Sequence, residues 1–255
     1  GISLDGNENH NKLRVDHKGR PSYQQTIDGI NMMRTLCPEQ FSGLISVIDF
    51  DQQPEEVMHS LLEEHPPILD ILQPFITHDM LVGDNKQYVE KFGDWMVRAT
   101  NYWMDNTQYH KTSIRFIEDG MMATLGHPPK SDWFGTRNIS YLIIETDGSY
   151  DLQDQLKVAG SDSLMVRQFG QNIFKHKMIE AEKAANDLLI SSYGDRLPNK
   201  CIGCHLENQC AGGFLPTRYS KDNGFNNPSV YCNGIKQFLG LLKEKVAPIL
   251  ESNFV

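Results

Sequence analysis

The chain has 255 residues, of which 39% are hydrophobic and 22% charged, and it carries a net charge of −9. That composition fits a globular protein of one large or two small domains and argues against a general nucleic-acid-binding surface. No apolar run approaches the roughly 18 residues of a membrane span, and no secretory leader is visible, so the expectation is a cytoplasmic protein.

The chain opens on 1–6, Gly-Ile-Ser-Leu-Asp-Gly, which reads as the end of a buried strand closed by a Gly turn. His10-Asn11, Arg14 and Gly19-x-x-Ser22-Tyr23 follow. Residues 23–36 place Ile27, Ile30, Met32 and Met33 at helical spacing, with Ser22 as N-cap. Cys37, next to Pro38, reads as a lone buried apolar residue. The β-branched run 42–50 predicts a buried strand. A helix over 54–63 starts on Pro54-Glu-Glu, and a strand over 67–72 ends at Pro74.

Strands alternating with helices predict a parallel α/β unit, with active groups at the C-terminal strand ends. Asp49, Asp51, Asp70, Gln73, His78 and Asp79 fall there, as solvated loop residues or as groups that position a peptide. Residues 88–106 repeat Phe92, Trp95, Met96, Ala99 and Trp103 on one helical face, a core stripe. A short strand from 114 passes into a helix that Gly126 and Pro128 stop. A strand over 141–145 meets a hairpin turn at Asp147-Gly148. Residues 172–192 and 234–251 read as amphipathic helices.

Between those last two helices lie four of the five cysteines, Cys201-x2-Cys204-x5-Cys210 and, beyond Gly212-Gly213, Cys232. Four thiolates close in sequence suit a tetrahedral zinc or a cubane iron–sulfur cluster. The Gly pair allows a tight turn against a bulky inorganic centre. Asn223-Gly and Asn227-Pro punctuate the return loop to the fourth cysteine. Two disulfides would need an oxidising compartment. Residue chemistry alone leaves zinc and iron–sulfur open.

The Cys-x2-Cys-x5-Cys, Gly-Gly, distant-Cys pattern resembles the auxiliary-cluster half of a SPASM domain, the C-terminal module of radical SAM peptide-modifying enzymes. The ending Asn223-Gly-Phe-x-Asn-Pro-Ser-Val-Tyr-Cys is similar to the cyclophane-forming (FxsB-like) branch. The segment from Ser3 to Tyr23 resembles the middle of a radical SAM barrel from its fourth strand onward, so the implied architecture is α/β: the second half of a partial (β/α) barrel over 1–135, then a SPASM-like module over 136–255.

The resemblance implies that Cys201, Cys204, Cys210 and Cys232 bind an auxiliary [4Fe–4S] cluster. It implies that Ser3, Asp5 and Arg14 lie at the S-adenosylmethionine site, where a forked guanidinium suits the cofactor's carboxylate. Segment 147–154 matches the SPASM hairpin. There the place of an inner-cluster cysteine is Gln153, its second ligand place is Phe214, and the acid that takes up a substrate proton in some relatives is Asp154. One auxiliary cluster is therefore expected, not two.

The Cys-x3-Cys-x2-Cys motif that holds the first [4Fe–4S] cluster beside S-adenosylmethionine is not in the sequence. The chain reads as a fragment whose missing N-terminal half, or a second chain, supplies that motif, so this piece by itself is expected to be inactive. The implied enzyme is a radical S-adenosylmethionine oxidoreductase that closes a carbon–carbon crosslink in a ribosomally made precursor peptide, with an external electron donor. Two alternatives stand beside it. One is a non-catalytic zinc- or cluster-binding peptide-recognition module. The other is a different SPASM chemistry, sulfatase maturation or thioether formation.

Overall fold

A computed structural model describes residues 1–134, 142–151, 154–159, 170–193 and 197–252. They divide into two compact units. One comprises Gly1–Pro74, Gln87–Met122 and Lys236–Val255; the other comprises Phe75–Lys86 and Ala123–Ile235.

The first unit is a parallel α/β layer. Four strands, β1 (Ile2–Ser3), β2 (Leu44–Val47), β3 (Ile68–Leu72) and β4 (Ser113–Ile114), lie side by side in chain order. Ser3 pairs with Ile45, Ile45 with Asp70, and Leu69 with Ile114. Consecutive parallel strands need long crossovers, and helices supply them. Helix α1 (Tyr23–Leu36) joins β1 to β2, α2 (Pro54–Leu62) joins β2 to β3, and α3 (Asn85–Glu90) with α4 (Phe92–Asp105) lies between β3 and β4. Helix α5 (Arg115–Thr124) follows β4 directly. Leu44, Leu69, Met58, Leu61, Phe92 and Trp95 are buried between sheet and helices. At Gly43 (φ 138°) a Cβ would stand 2.0 Å from the Ile68 carbonyl oxygen, so only glycine lets β2 start beside β3.

The predicted helix over 88–106 is two helices. Tyr88 on α3 accepts the Phe50 N–H, and Lys91 at the break pairs with Asp51, so α3 is pinned to the loop after β2. The apolar stripe begins afresh at Phe92. Cys37 is exposed, not buried; it ends α1, whose last turn also leaves Leu36 exposed. Ser22 does not cap α1 with its side chain. Its hydroxyl donates to the Arg14 carbonyl at 2.9 Å and closes the preceding loop.

The second unit has little regular structure. β5 (Ile143–Ile144) and β6 (Tyr150–Asp151) form the expected hairpin, with Gly148 at φ 81° in its turn. Residues 171–173 bond along β6, Tyr150 N–H to the Gln171 carbonyl and Ile173 N–H to the Gly148 carbonyl. That pairing uses the backbone expected to be helical from 172, and α6 starts only at Met178 (Met178–Tyr193). Tyr150, Leu156, Ala181, Tyr219 and Phe225 make a small core. Helix α7 (Glu207–Cys210) is one turn, and α8 (Cys232–Ser252) begins at the last cysteine. Among the described residues no helix is long and apolar enough to cross a membrane.

Candidate functional site

Cys201, Cys204 and Cys210 sit on a chain of tight turns. Cys201 ends a 3₁₀ turn (Asn199–Cys201) after Pro198, and its N–H donates to the Pro198 carbonyl at 2.7 Å. The Cys204 N–H donates to the Cys201 carbonyl at 3.1 Å, and the Glu207 N–H to the Cys204 carbonyl at 2.9 Å. Glu207 turns its carboxylate back to the Gly203 N–H at 2.7 Å, which fixes the two residues between the first two cysteines. Ala211 takes the left-handed conformation (φ 50°) that ends α7.

Gly212 and Gly213 continue the turn with positive φ. A Cβ on Gly212 would meet Pro198 at 2.9 Å and one on Gly213 would meet Ser229 at 2.7 Å. The Gly pair thus lets the turn lie close against Pro198 and Ser229.

The return loop is clamped by polar side chains. The buried Arg218 donates from Nε and Nη2 to the Phe225 carbonyl (3.1 and 2.9 Å) and from Nε to the Asn227 carbonyl at 3.2 Å. Asn227 donates back to the Arg218 and Gly224 carbonyls. Ser229 Oγ lies 2.7 Å from Thr217 Oγ1 and accepts the Tyr231 N–H, while the Ser229 N–H reaches the Gly212 carbonyl at 2.8 Å. Cys232 is thereby tied to the turn that carries Cys210. The Asn-Pro-Ser part of the motif was legible; Arg218 and Thr217, which do as much of the holding, carried no sequence signal.

The four thiols share one neighbourhood. Burial pushes the Cys210 thiol up to about 12, with Cys232 the next cause and Cys201 and Cys204 adding, while a hydrogen bond from the Gly212 N–H opposes them. Among the described residues no three His, Cys, Asp or Glu side chains close on a single metal ion. A tetrahedral zinc needs its sulfurs about 3.8 Å apart, from a Zn–S distance of about 2.3 Å. A cubane stands its four thiolates on separate irons and so spaces them more widely. Four thiols within electrostatic reach of one another, with a backbone N–H on Cys210, are a donor set that either group could take.

Gln153 lies outside the described residues. Phe214, at the other inner-cluster place, is buried and stacks against Trp133 and Phe75, with ring centroids 4.5 and 5.7 Å away. An aromatic layer fills that place.

Asp154 begins a 3₁₀ helix (Asp154–Ala159), where residues three apart eclipse each other. Lys157 therefore stands over it, Nζ at 2.6 Å from Asp154 Oδ1. The same ammonium is 2.8 Å from Glu145 and 3.6 Å from the buried Asp151, which share one face of the hairpin. These partners push the Lys157 pKa above its ordinary value, Asp154 first and Glu145 next.

In the first unit, Ser3 is exposed on β1 and Asp5 follows two residues on. Asp5 holds Arg14 by a forked pair, Nε to Oδ2 at 2.6 Å and Nη2 to Oδ1 at 2.8 Å. Asp5 Oδ1 also accepts the Val47 N–H at 3.1 Å. Buried Asn11 accepts the Asp5 N–H, and burial lowers the pKa of neighbouring His10, only partly offset by Glu56 and Asp49.

Asp51 pairs with Lys91 and Asp70 with Arg115. His78 and Asp79 belong to the second unit, where His78 Nε2 lies 2.8 Å from the Pro228 carbonyl and Asp79 accepts the Lys221 N–H.

No protein-family model matches this chain. No curated protein matches it either. Solved structures do. Native anSMEcpe with bound AdoMet, an anaerobic sulfatase-maturating radical SAM enzyme, matches with a TM-score of 0.77 at 16% identity over 97% of this chain and 66% of that one. Native anSMEcpe with AdoMet and the Kp18Cys peptide matches with a TM-score of 0.78 at 16% identity, over 98% and 68% of the two chains. The chain thus spans about two thirds of the length of the structures it matches. At this identity the likeness is one of fold, and the fold is the α/β architecture of radical SAM/SPASM enzyme structures.

Proposed function

We propose that this chain works in a radical SAM/SPASM maturase of a ribosomally made peptide, with 136–255 as its auxiliary module. The observation that carries the reading is the four-thiol neighbourhood of Cys201, Cys204, Cys210 and Cys232 inside a fold shared with AdoMet-bound, peptide-bound enzymes.

Those cysteines would hold a [4Fe–4S] cluster, with the Gly212 N–H on Cys210 tuning it. When bound, such a group accepts and passes single electrons. Ser3, Asp5 and Arg14 would meet the amino-acid end of S-adenosylmethionine. In the complete enzyme a second [4Fe–4S] cluster on residues outside this sequence, an external electron donor and the precursor peptide complete the set. Asp154 is the group that takes a proton from the peptide. In the cyclophane reading, a substrate side-chain radical adds to an aromatic ring, and the ring carbon then loses one proton and one electron. The proton would go to Asp154, and an iron–sulfur centre would supply the one-electron acceptor.

The cyclophane branch rests on the Asn223–Cys232 motif, whose residues here hold the loop and mark a lineage more than a chemistry. Sulfatase-type maturation stands as a second reading because the matched enzyme is named for it.

The test is iron, sulfide and zinc content with an absorption spectrum after anaerobic reconstitution. About four irons and four sulfides per chain, lost in Cys204→Ala, are expected. One tightly held zinc without sulfide would overturn the redox reading in favour of a peptide-recognition module.

A further inference from the structure

The Asp5–Arg14 fork stands on a turn that an imidazole holds. After Asp5 the chain reverses through Gly6 and Asn7 into a 3₁₀ helix (His10–Leu13), which brings Arg14 back to Asp5. Asn11 fixes the backbone of both partners: its Oδ1 accepts the Asp5 N–H at 3.1 Å, and its carbonyl accepts the Arg14 N–H at 2.9 Å. Asn11 in turn donates its own N–H to the Asn7 carbonyl, and Asn7 Oδ1 accepts the Asn9 and His10 N–H groups. His10 closes the turn, since its Nδ1 accepts the Asn7 N–H at 3.3 Å. Gly6 (φ 124°) packs against the same ring; a Cβ there would stand 2.5 Å from Nδ1.

A ring nitrogen that accepts a hydrogen bond carries no proton, so this arrangement assigns the His10 proton to Nε2. Nε2 lies 3.9 Å from the Glu56 carboxylate on α2, and the side chain is only 4% exposed. Glu56 and Asp49 are the acids that act on the ring, and Lys12 is the cation. Burial outweighs both acids and lowers the pKa below the ordinary 6.5.

We propose that His10 is a positioning residue for the ligand that Asp5 and Arg14 meet, and that it works as the neutral imidazole. The proposal rests on the reading given above, in which that ligand is the amino-acid end of S-adenosylmethionine. A proton taken from water onto Nδ1 sets one N–H against another, breaks the bond to Asn7 and loosens the turn beneath the fork. The fold favours the unprotonated ring, so the hold is complete above pH 6.5 and is lost as pH falls through the lowered pKa.

Two measurements test this, one of them without S-adenosylmethionine. In the 255-residue chain, nitrogen-15 NMR follows the His10 ring and the Asn7 amide from pH 7.5 to 5. Nδ1 should be unprotonated at pH 7.5, and the Asn7 amide should lose its protection from hydrogen exchange in step with protonation of the ring. His10→Asn offers an amide oxygen near the place of Nδ1 and has no proton to gain, so its Asn7 amide should stay protected throughout. A proton on Nδ1 at pH 7.5, or a wild-type Asn7 amide that keeps its protection down to pH 5, overturns the proposal.

In the complete enzyme, the Kd for S-adenosylmethionine is measured by equilibrium dialysis over the same range. The wild-type Kd should rise about fivefold or more between pH 7.5 and 5. His10→Asn should match the wild type at pH 7.5 and hold that affinity at pH 5, and His10→Ala should bind about tenfold more weakly throughout. Parallel wild-type and His10→Asn curves overturn the positioning role while leaving the reading of the fork intact. Unchanged affinity in Arg14→Met overturns that reading and the role of His10 with it, even where the NMR change is found.

Discussion

The two units are held by different means. In the sheet unit, regular backbone ladders and an apolar layer do the work: β1 to β4 pair in order, and Leu44, Leu69, Met58 and Trp95 fill the space behind them. In the cysteine unit, few backbone groups among the described residues have ladder partners, and side chains supply hydrogen bonds instead, with Arg218, Asn227, Ser229 and Thr217 each bonded to a loop. A buried loop must satisfy its carbonyls somewhere. The lesson is that a repeating pattern tolerates change at single surface positions, whereas a clamped loop depends on a few polar side chains that no pattern announces.

Three changes would sharpen or break that contrast. The largest effect is expected at Gly43, where a Cβ meets backbone with nowhere to move and the φ is one that alanine avoids. Gly43→Ala should destabilise the sheet unit by about 3 kcal/mol or more. Hydrogen exchange would show protection lost over 44–72 and kept over 197–232; equal loss in both would mean the units do not stand apart in stability.

Next comes Arg218→Met. It leaves the buried Phe225 carbonyl and the half-buried Asn227 carbonyl without their guanidinium, at a cost of about 2 kcal/mol. Denaturant titration should register the loss, and iron retained after gel filtration should fall with it. Full iron retention would show that the cysteines hold their loop without help.

The smallest effect is electrostatic. Burial raises the Asp70 pKa, Arg115 opposes it, and Asp119 adds to it. The folded state therefore holds this proton more tightly than the unfolded chain, so the contribution of Asp70 to stability is fully present below the ordinary value of 3.8 and is lost as pH rises through the folded pKa. Asp70→Asn should flatten that decline by an amount on the order of 1 kcal/mol, since a tenfold difference in proton affinity between the two states is worth about 1.4 kcal/mol. Melting temperatures of both proteins from pH 3.5 to 7 would reveal it. Parallel curves would mean Arg115 already offsets the burial.

How much of this was legible in the sequence follows the same divide. Helix α1 was readable to the residue because periodicity reports on a face, and β2 and β3 because β-branched runs report on burial on both sides. The break at Lys91 was not readable: it comes from Tyr88 and Lys91 reaching back some 40 residues to Phe50 and Asp51, contacts local spacing does not encode. The late start of α6 has the same origin, since residues 171–173 bond to β6 in preference to one another. Cys37 looked apolar and is exposed because it lies past the last helical turn, where the buried face has ended. At the candidate site the four cysteines were legible from spacing. The three carboxylates around Lys157 were not, because Glu145 and Asp151 join it only through the hairpin's register.

The Asp5–Arg14 fork has a bearing on what a ligand would feel there. The pair has one charge of each sign and no net charge, and the Val47 N–H fixes its carboxylate end. A simple anion approaching it meets attraction and repulsion nearly cancelled at long range. A molecule carrying an ammonium and a carboxylate on neighbouring atoms can answer both ends at once, each against its opposite. If the proposed zwitterionic end of S-adenosylmethionine meets this pair, binding would select by the orientation of a dipole, not by total charge, and would depend only weakly on salt.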